Sequence, residues 1–459
     1  MKKLIYILFF FLPVFAIAQQ PWYKSSPLYD WVNVGNAGFS AGTAWFTSLA
    51  FSPSGQPYVA YVDTVNSFKV TVMKFDGTNW VNVGNAGFSA GQAWYTSLAI
   101  SPSGQPYVAY EDSVSFGKAT VMKFNGTNWV NVGNEGFSAG WVWYTSLAFS
   151  PTDGKPYVAY MDYGNSMRAT VMKFDGTNWV NVGLAGFSAG LVYYTSLAFS
   201  QSGQPYVAYE DMGNSMKATV MKFDGTDWVN VGSPGFSAGE VLYTSLAFSP
   251  SGQPNVAYMD GANSQKATVM KFDGTNWNTV GTVGFSEGYV SYTSIAISQT
   301  GQPYVAYQDG WIAKATVVRF DGENWLNLGS PQFSAGWAEY TSLAFSPING
   351  QPYLAYGDFG NSEKATVMRF DSVFVGINQP QKSRLSLYPN PGADKITVET
   401  SAIPTQSQLS ILNLSGQEVL THKITQIKTQ LDISNLPTGV YFVRLTNDRT
   451  VEVGKIVKE

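Results

Sequence analysis

Seven tryptophans, Trp31, Trp80, Trp129, Trp179, Trp228, Trp277 and Trp325, follow one another at intervals of 49, 49, 50, 49, 49 and 48 residues. A period this regular points to a repeat architecture, in which each copy is one supersecondary unit that buries its apolar faces only against its neighbours. Each copy runs through four apolar stretches, shown here by the third: NWVNVG (residues 128–133), TSLAFSP (145–151), PYVAYMD (156–162) and RATVMKF (168–174). All are short, rich in Val, Tyr, Phe and Thr, and bounded by Gly, Pro, Asn or Asp, which is the signature of strands. Asp-Gly-Thr-Asn (175–178) and Ser-Gly-Gln-Pro (54–57) put glycine where a tight reversal needs positive φ, so two of the four connections read as hairpins. Stretches such as 58–61 are apolar on both faces, as expected of a sheet covered by neighbours on each side.

Stacked four-stranded units with a period near 50 predict an all-β fold, a β-propeller whose period resembles that of kelch repeats. A parallel solenoid is the rival architecture; two short turns per unit suit a propeller blade better. The Thr-Ser stretch occurs seven times (Thr47, Thr96, Thr145, Thr195, Thr244, Thr293, Thr341), and no eighth Trp stretch follows Phe370. The unmatched Trp stretch is the first, so residues 28–372 are expected to form a seven-bladed β-propeller closed by the N-terminal strand. The Asp-Gly-Thr-Asn-Trp turn (76–80) resembles the Asp-box of sialidase-like propellers with compressed spacing and no leading Ser, a structural analogy without catalytic meaning.

The two ends of the chain read differently. Lys2 and Lys3, an apolar stretch over 4–15 and the small-x-small run Ala16-Ile17-Ala18 predict a signal peptide over 1–18 that is removed after Ala18. That stretch is too short to span a bilayer and no other segment reaches the roughly 20 apolar residues a membrane helix needs, so no membrane insertion is expected after cleavage. The absence of Cys excludes a disulfide framework, thiolate metal sites, a cysteine nucleophile and lipid attachment near the cleavage site, and the lone His422 cannot supply a His-rich cluster. Neither a metal site nor a cofactor is expected. Residues 373–384 read as a linker. The tail, 385–459, then contains LYPNP (387–391), ITVET (396–400), LSILNLSGQEVL (409–420), LPTGVYFVRL (436–445) and VEVGKIVKE (451–459). That order resembles the C-terminal sorting domain of type IX secretion substrates, a small β-sandwich. The resemblance implies passage to the periplasm by the signal peptide, then export across the outer membrane by machinery that recognises the tail, leaving the cargo released or attached to the surface. It also implies recognition or folding roles for Asn390, Pro391, Gly439, Tyr441 and Lys455. His422 reads as a solvated side chain in this domain.

Charged residues make up 13% of the chain and aromatics 15%, which excludes both a disordered solvating polymer and a basic nucleic-acid binder. Residues 19–382 carry 17 Lys and Arg against 24 Asp and Glu, net −7, so nucleic acid and anionic membrane are repelled. In an up-and-down blade, the loop after the second strand and the connection to the next blade share one face, where binding groups are expected. Two residues before each Thr-Ser stand Trp45, Trp94, Trp143, Tyr193, Leu242, Ser291 and Glu339. Two further back stand Thr43, Gln92, Trp141, Leu191, Glu240, Tyr289 and Trp337, with the same strand parity and hence the same side. Trp45, Trp94, Trp141, Trp143, Tyr193, Tyr289 and Trp337 are therefore candidate ligand-binding residues, their flat faces suited to sugar rings. The competing reading is that these rings cap the core between blades.

Each copy also ends its second strand in Asp (Asp63, Asp112, Asp162, Asp211, Asp260, Asp309, Asp358), followed five or six residues later by Lys or Arg. This suggests either a ring of carboxylates for cations or ligand hydroxyls, or an ion pair across each hairpin mouth. A glycosidase needs two carboxylates in distinct environments; Glu111, Glu210, Glu240 and Glu339 are the non-repeated acids near the long-loop face, and nothing in the sequence pairs them. No catalytic residue is assigned. The expectation is a non-enzymatic binding propeller for a glycan or surface polymer, with a protein adhesion or scaffold module as the alternative and a glycoside-active enzyme as the third reading.

Overall fold

The computed structural model describes residues 28–373, 385–400, 407–414, 416–446 and 451–459. The expected signal peptide (1–18) and residues 374–384 of the expected linker lie outside the described residues. The chain divides into two compact units, one of Tyr29–Val373 and one that takes in Phe374–Glu459.

The first unit is all-β and propeller-like. Its described residues form seven four-stranded sheets, none closed on itself. Strand β1 (Leu28–Asn33) precedes the first sheet, in which β2 (Ala44–Phe51), β3 (Pro57–Asp63), β4 (Lys69–Phe75) and β5 (Trp80–Asn82) pair antiparallel in chain order. Strands β6 (Ala93–Ile100), β7 (Pro106–Asp112), β8 (Lys118–Phe124) and β9 (Trp129–Asn131) repeat the pattern, and the third sheet opens with β10 (Val142–Phe149). The last sheet differs: β1 lies beside Lys364–Val373, followed by Pro352–Asp358 and Ala338–Phe345.

The hairpins follow from local chemistry. Gly55, at φ +82, lets its N–H reach Ser52 O at 2.9 Å while Gln56 N–H bonds the Ser52 hydroxyl. In the other turn the Asp76 carboxylate accepts from the N–H groups of Thr78 and Asn79. Every residue of β3 is buried, as a strand covered on both faces requires. Tyr61 and its counterparts Tyr110 and Tyr160 are among the largest fully buried side chains, each contributing on the order of 1.5–3 kcal/mol.

The period of the tryptophans is the period of one contact between sheets. The Trp80 indole donates to Val34 O at 2.7 Å, and Trp129 to Val83 O at 2.7 Å, so a buried N–H always finds a carbonyl of the preceding connection. Each ring also lies on a phenylalanine, Phe39 on Trp80 at 4.3 Å and Phe88 on Trp129 at 4.1 Å. Inner strands join through serine: Leu98 N–H donates to Ser48 Oγ and Leu147 N–H to Ser97 Oγ. The same serine bond links the first sheet to the last, from Leu49 N–H to Ser342 Oγ at 3.0 Å, and Trp31, which β1 brings into the last sheet, donates to Leu328 O of the connection from the sixth sheet at 2.7 Å.

The repeated aspartates make no ion pairs among the described residues, in contrast to the expected bridge across each hairpin mouth. Asp162 is 1% exposed and turns inward. Its Oδ2 accepts from Thr170 Oγ1 at 2.9 Å and Asn165 Nδ2 at 2.8 Å, and its Oδ1 caps a single 3₁₀ turn through Gly164 N–H at 3.0 Å. Neutral donors satisfy the carboxylate inside the sheet, so Arg168, although directly opposite in register, stays in solvent. Asp309 lacks the side-chain cap, and burial pushes its carboxyl above the usual range.

The second unit pairs Ser386–Tyr388, Lys395–Glu399 and Lys428–Asp432 in one sheet, and Glu418–Ile424, Ser407–Leu412, Gly439–Thr446 and Val451–Lys458 in another. Both sheets contribute to one apolar core that includes Ile396, Leu409, Ile411, Val443 and Ile456. Asn390 ties the YPNP segment to the last strand, donating to Lys455 O at 2.7 Å and accepting from Val457 N–H at 2.9 Å. The buried Tyr441 donates to Pro437 O at 2.8 Å. Pro391 and Lys455 are exposed, Gly439 opens its strand, and His422 is exposed on Glu418–Ile424.

Candidate functional site

The loops after the second strands and the connections between sheets meet on one face. Tyr163 N–H donates to Trp141 O at 3.0 Å, Gly261 N–H to Glu240 O at 2.9 Å and Thr64 N–H to Thr43 O at 3.2 Å. These bonds place the candidate residues of the connections beside the turns after the second strands of the sheets they lead into.

Trp45, Trp94, Trp143 and Tyr193 stand on inner strands, half-buried, opposite Val62, Glu111, Met161 and Glu210. Two aromatic groups result. Trp45 and Trp94 lie 5.8 Å apart, with Phe68 beside both. Trp143 meets Tyr163 at 5.3 Å and Tyr95 at 6.2 Å, Trp141 meets Tyr163 at 6.0 Å, and Tyr193 meets Tyr144 at 6.0 Å. Trp141 is 54% exposed and Trp337 53%, whereas Tyr289 is half-buried. Trp337 packs on Phe359 at 5.4 Å, in the last sheet. Five of the seven candidates thus fall in neighbouring sheets one to four; Tyr289 and Trp337 belong to sheets six and seven.

A second aromatic series escaped the reading of the sequence. Phe46, Tyr95, Tyr144, Tyr194, Tyr243, Tyr292 and Tyr340 all have φ between +51° and +55°, at a register shift in each inner strand. Their rings touch in succession, from Phe46–Tyr95 at 5.0 Å to Tyr292–Tyr340 at 4.9 Å, and Tyr340 touches Phe46 at 4.7 Å. The available signal was an aromatic residue immediately before all seven Thr-Ser pairs. Burial raises the Tyr95 and Tyr340 hydroxyls to about 12.

Carboxylates stand among these rings. Burial raises Glu111 to about 7, and burial together with the Glu240 charge raises Glu210 to about 7. Glu339 is raised by burial and by Glu363. Glu210 is 3% exposed and its Oε2 has no hydrogen-bond partner. On the opposite face, Phe51, Ile100, Phe149 and Phe345, with Pro53, Pro102, Pro151 and Pro347, line an apolar depression.

Fold and tail together define the class: an exported, propeller-like repeat protein. Residues 386–459 match the secretion system C-terminal sorting domain family, which the YPNP-to-Lys455 arrangement represents in this chain. The tail directs the protein to the outer surface or to secretion, and makes the type IX secretion machinery its partner in export. Comparison with curated proteins finds no match. Among solved structures, the chain is similar to PorZ, a surface component of the type IX secretion system of Porphyromonas gingivalis (13% identity, TM-score 0.46, covering 92% of this chain and 60% of PorZ). The chain thus spans less than two thirds of PorZ. It is also similar to a PL25 ulvan lyase (12% identity, TM-score 0.48, covering 73% and 94%) and to an α-L-arabinanase of Penicillium chrysogenum (12%, 0.43, 75% and 98%). No helix of the described residues is long and apolar enough to cross a membrane.

Proposed function

We propose that the seven sheets are the blades of one ring closed by β1, and that the ring is a non-enzymatic module that binds a glycan or surface polymer on its long-loop face. Closure is supported by the succession of rings from Phe46 to Tyr340 and back, and by the Leu49–Ser342 bond that repeats the contact between consecutive sheets. Binding is supported chiefly by the unequal distribution of aromatics. Symmetric positions that carry Trp45, Trp94 and Trp143 in three sheets carry Leu242, Ser291 and Glu339 in others, so packing between blades does not require indole there. Indole faces half-open to solvent stack on the C–H faces of sugars.

A binding role without catalysis fits the electrostatics. Acid–base hydrolysis relies on two carboxyls whose environments separate their protonation; Glu111 and Glu210 are both pushed to about 7, chiefly by the same cause, burial. A glycan array with the full chain tests the reading. Binding that disappears in Trp94→Ala and Trp143→Ala, with the melting transition retained, is expected. Silence of the wild-type chain towards all glycans would point instead to a protein partner, and turnover of a bound oligosaccharide would overturn the non-enzymatic reading.

A further inference from the structure

One place on the long-loop face departs from its six counterparts. Gly117 stands where the third sheet carries Met167 and the fourth Met216, so the second sheet has no side chain there. A Cβ at Gly117 would lie 3.1 Å from Glu111 Oε1 and 3.1 Å from Trp141 Cδ1. The carboxylate and the exposed indole therefore close on the same point of the backbone, which brings them beside one another. Trp143 and Tyr163 extend the wall, their rings 5.3 Å apart, with Tyr95 a further 6.2 Å from Trp143. Tyr163 also sits 6.0 Å from Trp141. The Glu111 charge is felt by both Tyr95 and Tyr163.

Among the described residues, no ion pair neutralises Glu111 and no hydrogen bond holds its carboxylate. A carboxylate beside the first of a run of four aromatic rings suits an organic cation. A metal ion would need several oxygen ligands, and no group of three acidic or imidazole side chains is placed to supply them among the described residues. An ammonium group finds both a counter-charge and π faces, each favourable where water is partly excluded. We propose that Glu111, with Tyr95, Trp141, Trp143 and Tyr163, forms a site for a protonated amine carried by the bound glycan, that is, for a sugar polymer with free amino groups. This rests on the reading of the long-loop face as a glycan site and narrows the class of glycan.

The test compares hexamers of glucosamine, N-acetylglucosamine and glucose on the full chain at pH 7 and low salt, with n-butylammonium as a sugar-free probe followed by tryptophan fluorescence. The wild type is expected to prefer the glucosamine hexamer by about tenfold or more. Glu111→Gln should erase that preference while leaving any binding of the neutral hexamer in place. Gly117→Met, whose Cβ would press on both Glu111 Oε1 and the Trp141 indole at 3.1 Å and so force them apart, should weaken the preference while keeping the charge. Equal binding of all three hexamers, unchanged in both variants, would overturn the amine site and leave the glycan reading intact. Butylammonium quenching that needs Glu111, with no hexamer bound, would uphold the amine site and overturn the glycan reading. Absence of both amine preference and Glu111-dependent quenching would overturn the amine site.

Discussion

Glu210 is the clearest case in the repeats of a side chain held against its own solvation. It is nearly sealed from water, one carboxylate oxygen lacks a partner, and Glu240 adds repulsion. Its folded-state value of about 7 lies above the ordinary carboxyl range, so between about pH 4.5 and 7 the folded chain holds a proton that the unfolded chain has released. Stability therefore falls as pH rises through that window, and Glu111 acts in the same direction. Glu210→Gln should flatten the slope and raise the unfolding free energy at pH 8 by on the order of 1–3 kcal/mol, with little change at pH 4. Urea unfolding at the two pH values measures it, and a variant less stable than wild type at pH 8 would contradict the assignment. The repeated aspartates give the opposite lesson. Asp162→Ala strips three hydrogen bonds from a buried site and should cost on the order of 2 kcal/mol. Arg168→Ala should change stability by less than about 0.5 kcal/mol, because no ion pair is lost. Equal losses in both variants would restore the ion-pair reading.

The strands were legible because the same boundary chemistry appears seven times. Gly in the turns, Pro at the start of β3 and the alternation of the inner strand each recur with the period of Trp. What the sequence could not show was the direction of side chains at the bulge. Tyr95 and its counterparts occupy a left-handed conformation that bulky residues rarely adopt, and their carbonyls are held by the threonine hydroxyl of the next sheet, as Tyr95 O is by Thr145. That compensation is a tertiary contact, invisible in a linear pattern. The Asp and Lys positions do face one another, Asp63 opposite Lys69, but the expected ion pair does not form, because Thr71 and Asn66 take the carboxylate, which register does not reveal. The site was legible in part: Trp141, Trp143 and Glu111 stood out as non-repeated residues, whereas the approach of Glu111 to Trp141 over Gly117 is a tertiary contact. At this scale β1 is the decisive element. Deleting residues 28–36 removes the Trp31 indole bond, the bond from Val34 N–H to Val367 O and the fourth strand of the last sheet. A single cooperative melting transition should be lost; an unchanged melting curve would show that β1 is dispensable.

At the scale of the molecule, a repeat unit that buries apolar faces on both sides leaves two such faces uncovered at the ends of any open array. The proposed ring removes both ends, and β3 is as deeply buried in the first sheet as its counterpart is in the third. The account therefore stands on the seam between the first and last sheets. Hydrogen exchange of single amides tests it most directly, because Leu49, Leu98 and Leu147 make the same N–H to serine bond, the first across the seam and the others between consecutive sheets. The closed ring predicts protection of Leu49 comparable to that of Leu98 and Leu147. Exchange at Leu49 faster by orders of magnitude, with the two others still protected, would mean that the sheets form an open spiral and that the seam does not exist.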